Sequence, residues 1–444
     1  MSGPVLNVIG GGLAGCEAAW RAASRGVGCV LWEMKPRKFS PAHRSPDLAE
    51  LVCSNSFRAS SPENAVGLLK EEMRRLGSLV MAAADLTAVP AGKALAVDRD
   101  RFSRLVTEKI GAHPLIEVRR EELQGWPATG LPAVMAPGPL ASEAAVELLC
   151  EATGRGNLSF YDALAPIVTA ESLDMSKIFA QDRYGPEGGG DYLNAPLEKR
   201  EFLEFLDALK AADRTTPRPF ESEKYFEGCL PIEVMAERGP KTLTFGPMKP
   251  VGLTDPRTGR KPFAAVQLRR ENLEGTLWNI VGFQTRLSRP AQDCVFRMIP
   301  GLERCEFARY GAIHRNTFLD APEVLDPWQR LIPRPGVFMA GQISGVEGYV
   351  ESAAHGLWAG ENAARSVLGI PLTMPPRASA LGSLVSHLRP EGRGGAFAPS
   401  NVNFGLFPAL PERFHKQEAA ARRVEAARAS WTPITEDANH VFSW

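Results

Sequence analysis

The chain opens on a continuous apolar run, "PVLNVIG" at residues 4–10. A run without polar alternation predicts a strand buried on both faces, as in a parallel sheet. "LAGCEAAWRAASRG" (13–26) then repeats its apolar positions at helical spacing and stops at Gly26. "VGCVLWEM" (27–34) is a second apolar run. Strand, helix and strand in that order predict a βαβ unit. Helical patterns follow at 62–84 and 98–110, and a strand over 115–123. Residues 131–154 read as strand, glycine turn and helix, and 159–174 as strand and loop. The texture changes at "AQDRYGPEGGGDYLNAP" (180–196), where Gly, Pro and Asp mark a boundary. A helix is expected over 197–213 and strand-like segments with turns over about 220–285. Strand–loop–helix texture returns over 310–365, and a last helix over about 411–430.

This order predicts an α/β fold with a Rossmann-like domain in two parts, residues 1–180 and 310–444, the second ending in a helical tail. An inserted α+β domain at 181–309 faces the substrate. Lys plus Arg equals Asp plus Glu at 51 each, so overall charge offers no steering toward nucleic acid, and any such partner must meet a local basic patch. The seven cysteines are widely spaced without a CxxC, which argues against a disulfide framework or a zinc site, and the seven histidines do not cluster. No metal is expected. The first strand begins at once, leaving no room for a signal peptide, and the longest apolar stretch is broken by Asp85 and Pro90. The expectation is a cytoplasmic protein without a membrane span.

"GGGLAG" places Gly10, Gly12 and Gly15 in a G-x-G-x-x-G between strand and helix, with Gly11, Leu13 and Ala14 between them. Gly10 suits a tight turn, Gly12 lets a pyrophosphate approach the backbone, and Gly15 lets the helix pack closely on the strand. The helix N-terminus offers free N–H groups to phosphate. Glu33 ends the second strand, where an acid binds ribose hydroxyls. A glycine turn without ligand and an S-adenosylmethionine loop are other readings of the same pattern. "RPGVFMAGQISG" (334–345) favours FAD in a flavoprotein of the two-dinucleotide-binding type: Gln342 stands where an acid often follows the glycine of a late strand. Gly341, Gly345 and Gly348 allow backbone close to a flat ring, and the helix after Gly348 points its N-terminus at the flavin. With a single G-x-G-x-x-G, a reductant such as NAD(P)H binds transiently.

Cys16, Cys29, Cys150, Cys294 and Cys305 have bland surroundings and are expected to pack. Cys53, in "AELVCSNSFRAS", and Cys229, in "YFEGCLPIE", lie instead in polar or turn-forming stretches. Together with "GGGLAGCEAAW", "TLTFGPMKPVGL", "GQISGVEGYVESAAHGL" and "NVNFGLFP", these segments resemble the TrmFO family over nearly the whole chain. Members are FAD- and folate-dependent tRNA (uracil-5-)-methyltransferases, related to GidA (MnmG). The resemblance implies FAD, 5,10-methylenetetrahydrofolate as one-carbon donor, NAD(P)H as reductant, and a T-arm uridine of tRNA as target. It implies catalytic roles for Cys53 and Cys229, and leaves open which thiol attacks uracil; Cys229 is the preferred nucleophile and Cys53 the flavin-proximal group. No obligate protein partner is expected.

A helix N-terminus or the nearby Arg58 is expected to activate Cys53, and Arg238 or Lys241 to do so for Cys229. Arg257, Arg260, Lys261, Arg269 and Arg270, with Arg413, Lys416, Arg422, Arg423 and Arg428 in the tail, are candidates for phosphate contact. Tyr225 and Phe226 are candidates for base stacking, and His43 and His355 for contact with flavin or folate. Two other functions fit the same signals: wobble-uridine modification of the GidA type, and a flavin-bound tRNA-binding factor without chemistry.

Overall fold

The computed structural model describes residues 5–127, 132–154, 158–183, 189–215, 230–389, 397, 399–412 and 414–435. The first apolar run forms the strand Val5–Ile9, central in a six-stranded sheet. Gly28–Trp32 and then Ile116–Arg119 lie on one side of it; Ala133–Met135, Arg334–Met339 and Arg330–Leu331 lie on the other. All pairings are parallel except the last, an antiparallel edge. Val8 faces Leu31 on one neighbour and Val134 on the other, and all three are fully buried. That two-sided burial is why the strand reads as unbroken apolar sequence.

The helix Leu13–Ser24 lies against the long helix Tyr349–Leu368, where Val350 through Ala364 are all buried. Two glycines permit the approach. A Cβ at Gly356 would stand 2.1 Å from the carbonyl oxygen of Ala14, and one at Gly360 2.5 Å from that of Ala18. The expected helix over 62–84 is two, Ala65–Arg75 and Leu79–Leu86. Gly77, at φ +75°, breaks the run, and the Ser78 side chain caps the second helix by accepting from the Met81 N–H. A small antiparallel sheet of Ser56–Ala59, Ala94–Val97 and Ala88–Val89 has no counterpart in the sequence reading.

A second, antiparallel sheet orders Phe179–Ala180, Tyr192–Leu197, Ala264–Arg270, Leu277–Ile280, Ile167–Thr169 and Phe307–Arg309. It has its own core, in which Phe202, Phe205, Leu206 and Leu209 of the helix Lys199–Ala211 join Phe283 and Phe296. The chain passes between the two lobes along one antiparallel ribbon, Leu158–Leu164 paired with Ala312–Phe318. Over the described residues 230–285 the strands are fewer than the pattern suggested. "IEVMAE" and "PKTLTF" form short helices, Ile232–Glu237 and Pro240–Phe245. A proline at the first helical position sets φ for the helix, and burial of Leu243 outweighs the β propensity of Thr and Phe.

Candidate functional site

Two helix N-termini open onto one cleft. Gly12 caps Leu13–Ser24 without any side-chain bond, and a Cβ there would meet nothing within 4 Å. Gly348, at φ +110°, also caps Tyr349–Leu368 without a side-chain bond, although a Cβ there would stand 2.5 Å from Glu351 Oε2. Both glycines line the cleft. Each end presents uncapped N–H groups and the positive pole of a helix, a setting for phosphate or for negative charge on a ring.

The glycine loop is built to keep this space. Gly10, at φ +102°, packs so tightly that a Cβ would stand 2.2 Å from the Ala136 carbonyl oxygen. A Cβ at Gly11 would stand 2.5 Å from Leu48 Cδ2 and 2.7 Å from Glu33 Oε2. Gly10, Gly11, Leu13, Ala14, Glu33, Gly341 and Gln342 all line the cleft. Gly15 does not: it lies under Gly10, and a Cβ would stand 1.8 Å from the Gly10 carbonyl oxygen. Gly345 lies outside as well, because the room left by its missing Cβ is filled by the Phe397 ring at 2.2 Å.

Glu33 is buried at the strand end. Its Oε2 accepts from the Gly11 N–H at 2.9 Å and its Oε1 from the Lys35 N–H at 2.8 Å. Each oxygen has further acceptor capacity for a hydroxyl. Gln342 donates through Nε2 to both carboxylate oxygens of Glu347, at 2.9 and 2.8 Å. The Gly341 N–H donates to His355 Nδ1 at 3.0 Å. Burial holds the His355 imidazole down to about 3, so it is neutral and its proton sits on Nε2. His355 therefore shapes the Gly341 turn from below and does not line the cleft, whereas His43 does, with Nδ1 2.6 Å from Ser40 Oγ.

Cys53 lines this cleft, in an irregular stretch that pairs with no strand. Its polar backbone is satisfied by side chains from far along the chain. The Tyr349 hydroxyl accepts from the Cys53 and Ser54 N–H groups at 2.7 and 3.1 Å. Arg309 donates to the carbonyls of Val52 and Cys53 at 2.8 and 3.3 Å. Arg99 donates to the Leu51 carbonyl at 2.6 Å and pairs with Glu271 at 2.7 Å. Arg269 reaches Ser54 Oγ at 2.8 Å and Asn55 Oδ1 at 3.0 Å. Burial, then the charge of Cys53, pushes the Tyr349 hydroxyl up. Burial, then the neighbouring Arg99, holds the Arg309 guanidinium down to about 10.

The expected partner Arg58 is otherwise engaged: it lines the cleft but pairs with the fully buried Glu351. The cations held against the Cys53 segment are Arg99, Arg269 and Arg309. Cys229, Tyr225, Phe226 and Arg413 lie outside the described residues. The described chain resumes at Leu230, and the Ile232 N–H donates at 2.8 Å to the carbonyl of Gln284, a residue that lines the same cleft.

Burial pushes the thiols of Cys29 and Cys305 up to about 12 and about 11, and that of Cys16 higher still, as packing residues require. Cys294 departs from expectation, being exposed, because only one face of the helix Arg289–Phe296 meets the core. Several of the basic residues proposed for RNA have partners within the chain. Arg257 pairs with Asp255, Arg269 is buried, and Arg270 stacks over Trp278. Arg422 pairs with Glu418 and Arg428 with Glu71.

A model of the GIDA family, glucose inhibited division protein A, matches residues 5–371. Among solved structures, Aquifex aeolicus GidA in two crystal forms superposes with TM-scores of 0.68 and 0.72, covering 96% and 100% of this chain and 73% and 77% of those chains. At 17% and 16% identity this likeness is one of fold. Fold and cleft thus define a GidA-like α/β protein with a Rossmann-type nucleotide site. Finer likeness comes from proteins named methylenetetrahydrofolate–tRNA-(uracil-5-)-methyltransferase TrmFO. That of Geobacter sulfurreducens is 59% identical over 97% of this chain and 98% of its own length, and that of Geotalea uraniireducens 57% over 95% and 96%. The chain belongs to the TrmFO family.

Proposed function

We infer that this chain methylates C5 of a T-loop uridine in tRNA, with methylenetetrahydrofolate as one-carbon donor, FAD as bound cofactor and NAD(P)H as reductant. The observation that carries the reading is the placement of Cys53 in the same cleft as a dinucleotide loop and two open helix N-termini. The residues fit FAD: Gly10 to Ala14 would hold the pyrophosphate, Glu33 a ribose, and Gly341, Gln342 and Gly348 the flavin end. When bound, FAD supplies the hydride that converts a one-carbon unit at the methylene level to methyl.

The protein's part is to activate uracil, whose C5 is a poor nucleophile. Addition of a thiolate at C6 places enolate character on C5, which then attacks the methylene donor. A second group removes the C5 proton as tetrahydrofolate leaves, and the exocyclic methylene so formed becomes methyl on taking up hydride, with elimination of the thiolate restoring the ring. Two thiols divide this work. Cys229 is proposed as the nucleophile and Cys53 as the group beside the flavin. Residues 181–309, together with the strands Ile167–Thr169 and Phe179–Ala180 that the expected boundary left in the cofactor domain, are proposed as the tRNA-facing insert.

The test is to incubate the FAD-loaded protein with unmodified tRNA, methylenetetrahydrofolate and NAD(P)H, then digest the RNA and measure 5-methyluridine. The reading requires 5-methyluridine in the T-loop, and none when folate is omitted. Product at the wobble position would favour a GidA-type activity, and no product with folded tRNA would end the proposal.

A further inference from the structure

The segment 51–55 that carries Cys53 belongs to the first lobe, yet side chains of the second lobe hold much of it. Arg309, in the last strand of the second sheet, donates to the Val52 and Cys53 carbonyls at 2.8 and 3.3 Å. Arg269, in the strand Ala264–Arg270, holds the Ser54 and Asn55 side chains, and Asn55 Nδ2 donates back to the Arg270 carbonyl at 2.9 Å. Glu271, at the end of the same strand, anchors Arg99 while Arg99 holds the Leu51 carbonyl. From the first lobe, Tyr349 takes the Cys53 and Ser54 N–H groups.

Backbone polar groups away from water need partners. Here the donor and the acceptor of Cys53 go to side chains of different lobes, its N–H to Tyr349 and its carbonyl to Arg309. A shift of the second sheet relative to the first therefore moves the thiol-bearing segment directly. The charged groups around that segment are cationic Arg99, Arg269 and Arg309 against anionic Glu271, with the Tyr349 hydroxyl among them.

We propose that Arg309 is a positioning residue for Cys53, and that segment 51–55 is the contact through which docking of the second lobe reaches the thiol in the cofactor cleft. The inference rests on the activity proposed above, but its physical part is measurable without turnover.

The experiment compares the FAD-loaded wild type with Arg309→Ala and Arg309→Lys. Hydrogen–deuterium exchange of the peptide spanning 51–55 is measured without tRNA or folate, and kcat and KM for tRNA are measured with them. In Arg309→Ala, exchange at 51–55 accelerates while the second-sheet strands 264–270 and 277–280 keep wild-type protection. kcat falls by about 10- to 100-fold, the scale of a reacting group misplaced by ~1 Å, with KM for tRNA little changed. Arg309→Lys, which keeps a cationic donor but loses the fork, falls between the two. Unchanged exchange at 51–55 in Arg309→Ala overturns the proposal, as does equal acceleration across both second-sheet strands, which marks Arg309 as a general support of its lobe. If the wild type methylates no tRNA, the activity reading fails while the exchange result still decides the contact.

Discussion

Glu33→Gln is a stringent test of the cofactor loop, because the change is nearly isosteric and its cost can be read from the structure. The two carboxylate oxygens accept from two different buried backbone N–H groups, Gly11 at 2.9 Å and Lys35 at 2.8 Å. Glutamine has one oxygen and one NH2 group, so one of these N–H groups must face another donor. Leaving a buried donor unsatisfied costs about 1–3 kcal/mol. Gly11 cannot easily turn aside, since its carbonyl accepts from the Ala49 N–H at 2.8 Å. If the cost falls on the cofactor-binding conformation, the Kd for FAD rises about 5- to 150-fold. Titration of the FAD-free protein with FAD, followed by flavin fluorescence, gives the number. A Glu33→Gln protein that binds FAD within about twofold of wild type would refute the argument, because loop geometry would then not depend on the paired acceptors.

Gly356→Ala drives a methyl group against the Ala14 carbonyl at 2.1 Å, and overpacking of this kind costs about 1–3 kcal/mol. Its thermal midpoint should fall and FAD should be lost, whereas Gly111→Ala, where a Cβ meets nothing within 4 Å, should leave both intact. Burial lifts the Glu17 carboxyl from 4.5 to about 7 despite hydrogen bonds from Ser78 and Val80. A raised carboxyl contributes fully below pH 4.5 and loses its contribution as pH rises through about 7. Glu17→Gln should therefore gain stability relative to wild type between pH 5 and 8 in urea unfolding, and a difference independent of pH would count against it. Glu361 runs the other way: burial raises it, but Arg21, Arg25 and Arg365 outweigh this and hold it down to about 2. Its contribution, on the order of 3 kcal/mol, is present above pH 4.5 and lost as pH falls toward 2. The deficit of Glu361→Gln at pH 7 should accordingly shrink in acid, as read by unfolding at both pH values.

The sequence carried the nucleotide loop well, because each of its demands is local. Gly10, Gly12 and Gly15 serve a turn, an open approach and a close helix contact, and all three needs lie within one strand–turn–helix. Glu33 was legible for the same reason, as a strand-end acid at a fixed distance. Cys53 stood out only as a thiol in polar surroundings, and its partners were hidden. Arg99, Arg309 and Tyr349 converge on it from separations of 46, 256 and 296 residues, and no local pattern announces such a meeting. Tyr349 lay inside a quoted family segment, which was a usable signal, but Arg99 and Arg309 had none. Part of the first charge run turns inward. An arginine is read from sequence as solvent-facing, whereas Arg269 is buried against Asn55 and Arg270 lies over the Trp278 ring. Short strands such as Ala88–Val89 and helices such as Pro240–Phe245 escaped because tertiary packing, not propensity, decides elements of that length.

The cofactor cleft and Cys53 are proposed to form one site for uridine methylation. The decisive measurement is T-loop 5-methyluridine made by wild type and by Cys53→Ala, each loaded with FAD, alongside their affinities for the same unmodified tRNA. Methylation is expected from the wild type only, with tRNA affinity and bound FAD retained in the variant. Undiminished 5-methyluridine from Cys53→Ala would contradict it.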